Sequence, residues 1–451
     1  MRNVIILGGG ISGLSLRYFL SQKYPDLNIT LIEKKNRLGG VIESRQSGGF
    51  FFEKGPRTFK ASKSHSLLQL ICDLGMEKEI LVSEKNAARR FLWKDDRLHA
   101  IPMHPLPLLT SPLTRKLIPS VMTEWSKEVG ADDETVHSFA KRRLGVYAAE
   151  VFFDPMTLGI YAGDIRKLSM LSCFPSLKEL ERKHGSITKG LFKRKKKSFT
   201  YPEGVRTSCL FTLKRGVESL VAQLEEAGKG DIVLNTAVRD VVFKDCKVSV
   251  SDGNHTWEGD HLFCALSAKG AYHLSRTWDE QVTAFFNALE MASLSVVHLG
   301  YECRPLKEEG FGYLIPSNEG EKILGVIFDS SVFPQQNHHA LETRLTVMMG
   351  GAFHPKHHEI SKEMRIAQAL EGIEKHLGIK ALPMYTYATE YVQAIPQFTL
   401  GHAQRVADLR EFLREKYPQV TLLGNYLDGV SLSDCVEGAK NISQNIIYES
   451  T

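Results

Sequence analysis

No stretch of about 18 apolar residues occurs in the 451-residue chain, which excludes a membrane-spanning helix. A C-x-x-C pair is also missing. The seven cysteines (Cys72, Cys173, Cys209, Cys246, Cys264, Cys303 and Cys435) are odd in number and widely spaced, which argues for reduced, mostly buried thiols rather than a disulfide framework. A large excess of one charge is lacking too: a formal net charge of +5 suits a carboxylated ligand or an anionic surface but is too small to argue for nucleic acid. No internal repeat is visible. No charged-then-apolar leader precedes the strand-like Val4–Leu7, so a cytosolic location is expected. No Ser-His-Asp or Cys-His order accompanies a recognisable nucleophile elbow, and nucleophilic catalysis has no support. His338, His339, His354, His357 and His358 lack an acidic or thiol framework around them; they read as solvated histidines, and no metal is expected.

What is present is a globular composition, 43% hydrophobic, 24% charged and 9% aromatic, long enough for two or three folding units at roughly 150 residues each. The first forty residues carry the strongest local signal. The apolar run Val4–Leu7 has strand length, Gly8-Gly9-Gly10-Ile11-Ser12-Gly13 makes a tight turn, and Leu14–Ser21 keeps apolar residues on a helical face. A second strand, Asn28–Ile32, ends at Glu33. In Gly8-x-Gly10-x-x-Gly13 the missing side chains let main-chain N–H groups approach a pyrophosphate at a helix N-terminus, and Glu33 stands where a carboxylate would take a ribose hydroxyl pair. FAD and a nicotinamide cofactor both fit this much.

Further along, 60–205 reads as helical and irregular, with clustered prolines between Pro102 and Pro119 and a basic run, Lys193–Lys197, that reads as a solvated loop. Strands return at Ile232–Leu234, Val238–Phe243, Lys247–Val250 and His261–Cys264. A second β-rich stretch follows, with strands at Leu294–Tyr301, Tyr313–Ile315, Ile323–Phe328 and Arg344–Met349 and a helix over Ser361–His376. The chain closes with a strand at Val420–Leu423, the turn Gly424-Asn425, and a helix from about Ser433 to Ile447.

Arg37-Leu38-Gly39-Gly40, just after Glu33, resembles the extended signature of FAD-binding flavoenzymes of the amine oxidase superfamily. The stretch from Leu423 to Ala439 narrows this, along with Glu53-Lys54-Gly55-Pro56-Arg57, Gly159-Ile160-Tyr161-Ala162-Gly163-Asp164, Leu168-Ser169-Met170 and Ile395-Pro396-Gln397-Phe398-Thr399-Leu400-Gly401-His402. Over nearly the whole chain the sequence is similar to the protoporphyrinogen oxidase family, least so around 85–150 and 180–200.

The resemblance implies an α/β fold: a Rossmann-like FAD-binding domain (1–84, 206–268 and 388–451), a helical insert (85–205) and a β-sheet substrate domain (269–387). It implies FAD, held by Gly8, Gly9, Gly10, Ile11, Ser12, Gly13, Glu33, Arg37, Gly40, Val41, Gly55, Pro56, Arg57, Thr58, Val238, Tyr391, Gly424, Val430, Ser431 and Leu432. Substrate contacts carried over from the family are Arg57, as a partner for a propionate, Gly159, beside the macrocycle, and Leu314, Ile327 and Met348, as apolar walls. A structural ion pair is the alternative for Arg57, and plain core the alternative for the three apolar residues. No catalytic acid or base is assigned.

The implied activity is oxidation of a porphyrinogen, protoporphyrinogen IX or coproporphyrinogen III, in haem biosynthesis, with O2 as acceptor and H2O2 as product. Competing expectations are another amine-oxidase-superfamily flavoenzyme and a non-catalytic flavin- or tetrapyrrole-binding protein. The family's frequent membrane association implies peripheral contact on the inner face of a membrane through the insert, for which Leu106–Leu117 is the segment named; its alternative is an internal cap over the substrate channel. Oligomeric state stays open.

Overall fold

The computed structural model of the chain describes residues 2–102, 110–193, 199–244 and 246–447. Val4-Ile5-Ile6-Leu7 lacks polar alternation, and the strand it forms, β1 (Asn3–Leu7), is covered on both faces, with these four side chains at most 1% exposed. Helix α1 (Ile11–Lys23) carries the chain back to β2 (Asn28–Ile32), which pairs in parallel with β1. Asp231–Val233 adds outside β2. His261–Cys264 and then Val420–Leu422 add on the other side of β1, completing among the described residues a five-stranded parallel sheet drawn from both ends of the chain.

A second, seven-stranded sheet has the order Tyr385–Pro396, Met291–Tyr301, Thr343–Gly350, Ile323–Ile327, Gly312–Leu314, Phe91–Lys94, Arg97–Ala100. One face is packed by helix α2 (Lys362–Leu377), which starts at Ser361, whose Oγ accepts the Met364 N–H at 3.2 Å. Ala369 and Ile373 of α2 meet Val297, Leu299, Leu345 and Val347 in a closed apolar core. The other face is left for the site.

Two strand groups shift the expected boundaries. Phe91–Lys94 and Arg97–Ala100 lie within the stretch read as a helical insert, yet they form a hairpin whose first strand runs parallel to Gly312–Leu314. Its turn residues Asp95 and Asp96 adopt φ 52° and 55°, the left-handed pair that a two-residue hairpin turn requires. Tyr385–Pro396 crosses the expected boundary at residue 387 and forms the sheet's edge.

The rest of the insert is helical, with Val136–Ala148, Asp154–Tyr161, Pro175–His184 and Ile187–Lys193. Its interior is tied by charge: Arg143, fully buried, donates to Glu181 at 2.6 Å and to Glu124 at 3.2 Å. Of the segment Leu106–Leu117, residues 106–109 lie outside the described residues, and Leu113 is buried against Leu92 and Val151 as a cap would be. Lys193 ends a helix, and the other four residues of the basic run lie outside the described residues.

Candidate functional site

The first glycine turn is tight on the inside and open on the outside. A Cβ on Gly8 (φ +104°) would sit 2.6 Å from the Ala265 carbonyl oxygen, and one on Gly13 would overlap the Gly8 carbonyl. One on Gly10 would meet nothing within 4 Å. Backbone is thus pressed against its own strand while its outer side is free for a ligand to approach. Helix α1 has Gly10 as its N-cap, with no side-chain cap and no acidic residue in its first turn, so no side chain of its own offsets its positive end. The residues present fit a pyrophosphate.

Glu33, 8% exposed, closes the turn: its carboxylate accepts the Gly9 N–H at 2.8 Å and the Lys35 N–H at 2.9 Å. The segment leading to Val238, one of the residues expected to hold FAD, lies beside it, because the Asn235 N–H donates to the Lys35 carbonyl and the Thr236 N–H to that of Glu33, both at 3.0 Å. Val238 follows directly and is half-buried.

The second glycine pair is bonded to the first through the Gly39 N–H and the Gly9 carbonyl, at 2.8 Å. Arg37 holds that loop from behind, donating to the carbonyls of Gly40 and Ile42 and pairing with Glu218 at 3.3 Å. It therefore acts on the shape of the loop. Gly55 has no room for a side chain because the Val41 carbonyl occupies the space, so the turn carrying Gly55, Pro56 and Thr58 abuts the loop carrying Val41, which is 53% exposed. At the C-terminal helix α3 (Leu432–Asn445), Ser431 and Asp434 form a capping box: Ser431 Oγ accepts the Asp434 N–H, and the Asp434 carboxylate accepts the Ser431 N–H at 3.0 Å. Of the cofactor-holding residues expected here, Ser431 is engaged by its own helix. Val430 and Leu432 flank it, Ser12 on α1 hydrogen-bonds Cys435 on α3, and Gly424 (φ +154°) packs on the Tyr426 ring. The two helix starts are neighbours.

Strand register brings the expected apolar residues together. Met348 lies opposite both Gly325 and Val296, and Gly325 lies opposite Leu314. Ile327, two residues from Gly325, lies opposite Thr346. Tyr391 lies opposite Leu294, two residues from Val296. Since side chains alternate along a strand, Leu314, Ile327, Met348 and Tyr391 share one face, the one that α2 does not cover. All four are only partly buried. Gly159, on the helix Asp154–Tyr161, is exposed, and a Cβ there would sit 3.0 Å from Leu314. Burial pushes the Tyr391 phenol up to about 12 against the pull of Arg57, so it stays a hydrogen-bond donor.

The two arginines near this face differ. Arg57, 8% exposed, pairs with Asp329 at 3.6 Å, and Asp329 also accepts the Thr346 hydroxyl at 2.7 Å. The pair is ionic but not hydrogen-bonded: Arg57 Nη1 is buried with no hydrogen-bond partner among the described residues, so both roles named for it stand. Arg90, half-buried and absent from the expected site residues, has no carboxylate partner among the described residues. Its guanidinium lies over the Phe311 ring, 4.7 Å from the centroid, and Phe311 belongs with Ile327 to one apolar cluster. Burial alone draws its pKa below the ordinary arginine range. The only signal in the sequence was the Arg89-Arg90 doublet ahead of an apolar strand.

The profile of the family described as flavin containing amine oxidoreductase matches residues 11–447. Human protoporphyrinogen oxidase is 33% identical over 472 aligned residues, covering 99% of this chain and 98% of the human one. Coproporphyrinogen III oxidase of Bacillus subtilis (strain 168) is 28% identical, covering 99% and 98%. The crystal structure of a candidate protoporphyrinogen oxidase from Exiguobacterium sp. 255-15 superposes with a TM-score of 0.84 at 25% identity, covering 98% of each chain.

Proposed function

Because the chain belongs to the flavin-containing amine oxidoreductase family, we propose that it is an FAD-dependent oxidase that converts a porphyrinogen to a porphyrin in haem biosynthesis. The observation that carries the reading is the shared face of Leu314, Ile327, Met348 and Tyr391 in the same chain as a glycine-built dinucleotide cradle. That face offers a flat macrocycle an apolar wall, and Gly159 offers a gap where backbone can come close.

Bound FAD would supply a two-electron hydride acceptor, so removal of six electrons takes three rounds, and O2 as final acceptor would give three H2O2. The chain's own part is orientation. Glu33, the two glycine loops and the positive end of α1 would hold the cofactor; the sheet face would set the macrocycle's plane; Tyr391 keeps its proton and can donate from that face. Arg90 offers a fork to a substrate carboxylate, and Arg57 with Asp329 keeps the floor of the site in one arrangement. No side chain is assigned as general acid or base.

Anaerobic addition of a porphyrinogen to the flavin-loaded protein tests the reading: the yellow colour should bleach, and air should then return it with porphyrin fluorescence and peroxide. A colour that persists beside bound porphyrinogen would identify a carrier instead.

Peripheral membrane contact belongs to the same proposal, on a different segment from Leu106–Leu117. Among the described residues no helix is long and apolar enough to cross a bilayer. Met122, Trp125, Leu191 and Phe192 of the insert are 76%, 54%, 53% and 86% exposed, and Lys189 lies over the Trp125 ring at 5.6 Å. This mixture suits an anionic surface. Co-sedimentation with anionic vesicles should drop for the double variant W125S/F192S.

A further inference from the structure

The helix Asp154–Tyr161, which carries Gly159, is tied down at both ends, and the two ties differ. At its C-terminal end the Ala162 carbonyl accepts the Ala352 N–H and the Tyr161 carbonyl accepts from Gln397 Nε2, both at 2.8 Å. At its N-terminal end the tie is one side chain. Asp154, 2% exposed, accepts the Ser317 N–H on Oδ2 at 2.6 Å, while Oδ1 is buried with no hydrogen-bond partner among the described residues. Glu124, as deeply buried in the same insert, has both oxygens engaged, Oε1 by the Ile187 N–H at 2.9 Å and Oε2 by the Thr188 N–H at 3.3 Å. A buried carboxyl with one oxygen bare is a poor source of stability, and burial pushes the Asp154 pKa up against the pull of Ser317 and Arg166. What its bond does fix is a spacing. Upstream, the helix Val136–Ala148 breaks at Gly145 (φ 85°), and a π-helical turn, Ala149–Phe153, leads into Asp154, so a rod interrupted twice sets the height of Gly159 poorly. Asp154 and Gly159 lie on one helix, and Ser317 follows Leu314 by three residues where the chain leaves its strand. A Cβ at Gly159 would sit 3.0 Å from Leu314, so the Asp154–Ser317 bond and the Gly159–Leu314 approach are neighbouring rungs between the same two segments.

Resting on the porphyrinogen-oxidase reading, we propose that Asp154 is a positioning residue: by accepting the Ser317 N–H it sets the separation of Gly159 from Leu314, and with it the slot that takes the edge of the tetrapyrrole. Asp154 does not itself touch the substrate. The accepting oxygen is what matters, so an amide oxygen in the same place serves as well and the charge is dispensable. Without the bond the first turn of the helix drifts while its last turn stays tied to Ala352 and Gln397, which changes the slot and leaves the glycine cradle on the other sheet as it was. A displacement of about 1 Å at such a contact is enough to show in turnover.

The flavin-loaded, full-length protein and its variants should be compared in porphyrinogen turnover, in flavin content, and in binding of protoporphyrin IX followed by its fluorescence. Asp154→Ala should raise KM for the porphyrinogen and Kd for protoporphyrin IX about 10-fold, the scale of one hydrogen bond, with kcat changing less than KM and flavin content unchanged. Asp154→Asn, which keeps the accepting oxygen, should stay within about 2-fold of the unsubstituted protein. Ser317→Pro removes the donor from the other side at a first helical position, where proline is tolerated, and should reproduce the Asp154→Ala effect even where that variant does not fold. Unchanged KM and Kd in a folded Asp154→Ala or Ser317→Pro variant overturns the positioning role and leaves the oxidase reading standing. So does an Asn variant as impaired as the Ala one, a loss of flavin in step with the rise in KM, or failure of both disrupting variants to fold, which assigns the bond to the fold. Turnover of neither protoporphyrinogen IX nor coproporphyrinogen III by the unsubstituted, flavin-loaded protein overturns the oxidase reading and the positioning role with it.

Discussion

The nucleotide cradle and the open sheet face are built from opposite materials. In the cradle the contacts are main chain: Gly8, Gly10 and Gly13 matter for the side chains they lack, and α1 contributes a bare positive end. On the sheet face everything depends on side chains, and they meet only because strands distant in sequence pair in one register. The cradle should therefore fail all at once when a single atom is added, while the face should lose its properties one residue at a time.

The largest effect is expected at Gly13. Gly13→Val drives a branched side chain into the Gly8 carbonyl, so the purified protein should be colourless and should not take up added FAD; a yellow, fully loaded variant would break the contrast. Next comes Arg57→Ala, which strands Asp329 in a site where its partner is 8% exposed; a loss of about 3 kcal/mol is expected, read as a lower denaturation midpoint. If Arg57→Ala instead raises KM with stability intact, Arg57 has the anchoring role first expected of it, and the roles of the two arginines must be exchanged.

Glu53 sharpens the comparison through pH. Burial raises this carboxyl to about 7 from 4.5 even though it accepts the Val217 N–H and the Ser44 hydroxyl. The folded chain therefore holds the proton more tightly than the unfolded one, so the stability it contributes is complete below about pH 4.5 and is lost as pH rises through about 7. Glu53→Gln should flatten the fall in urea midpoint between about pH 4.5 and about pH 7; an unchanged slope would assign it to other groups. The smallest effect is expected at Ser431→Ala, about 1 kcal/mol from loss of the α3 cap, with flavin still bound. Loss of flavin there would mean that Ser431 serves the cofactor despite its capping box.

The sequence was most legible where one local rule governs several residues. The run Val4–Leu7, the glycine turn and Glu33 lie within one supersecondary unit, and all of them fold as expected. The long strands and helix of the second sheet were also visible in their periodicity, within a few residues. The hairpin at Phe91–Ala100 was hidden because Asp95-Asp96 is a less usual turn pair than one containing glycine. Tyr385–Pro396 was hidden because, as an edge strand, it carries no continuous apolar run. The two arginines show the deeper limit. Arg57 stands in a recognisable motif and Arg90 does not, yet that Arg57 faces Asp329 is set by a residue more than two hundred positions away in the chain, and no spacing rule reports that.

The parallel sheet takes its outermost strand, Val420–Leu422, from the end of the chain, and α3 then packs against α1 from the beginning. During synthesis the amino-terminal unit therefore keeps its apolar flank uncovered until residues 420–445 have been made. Chains that lack residues 420–445 expose that flank and are the species that chaperones and proteases have to clear.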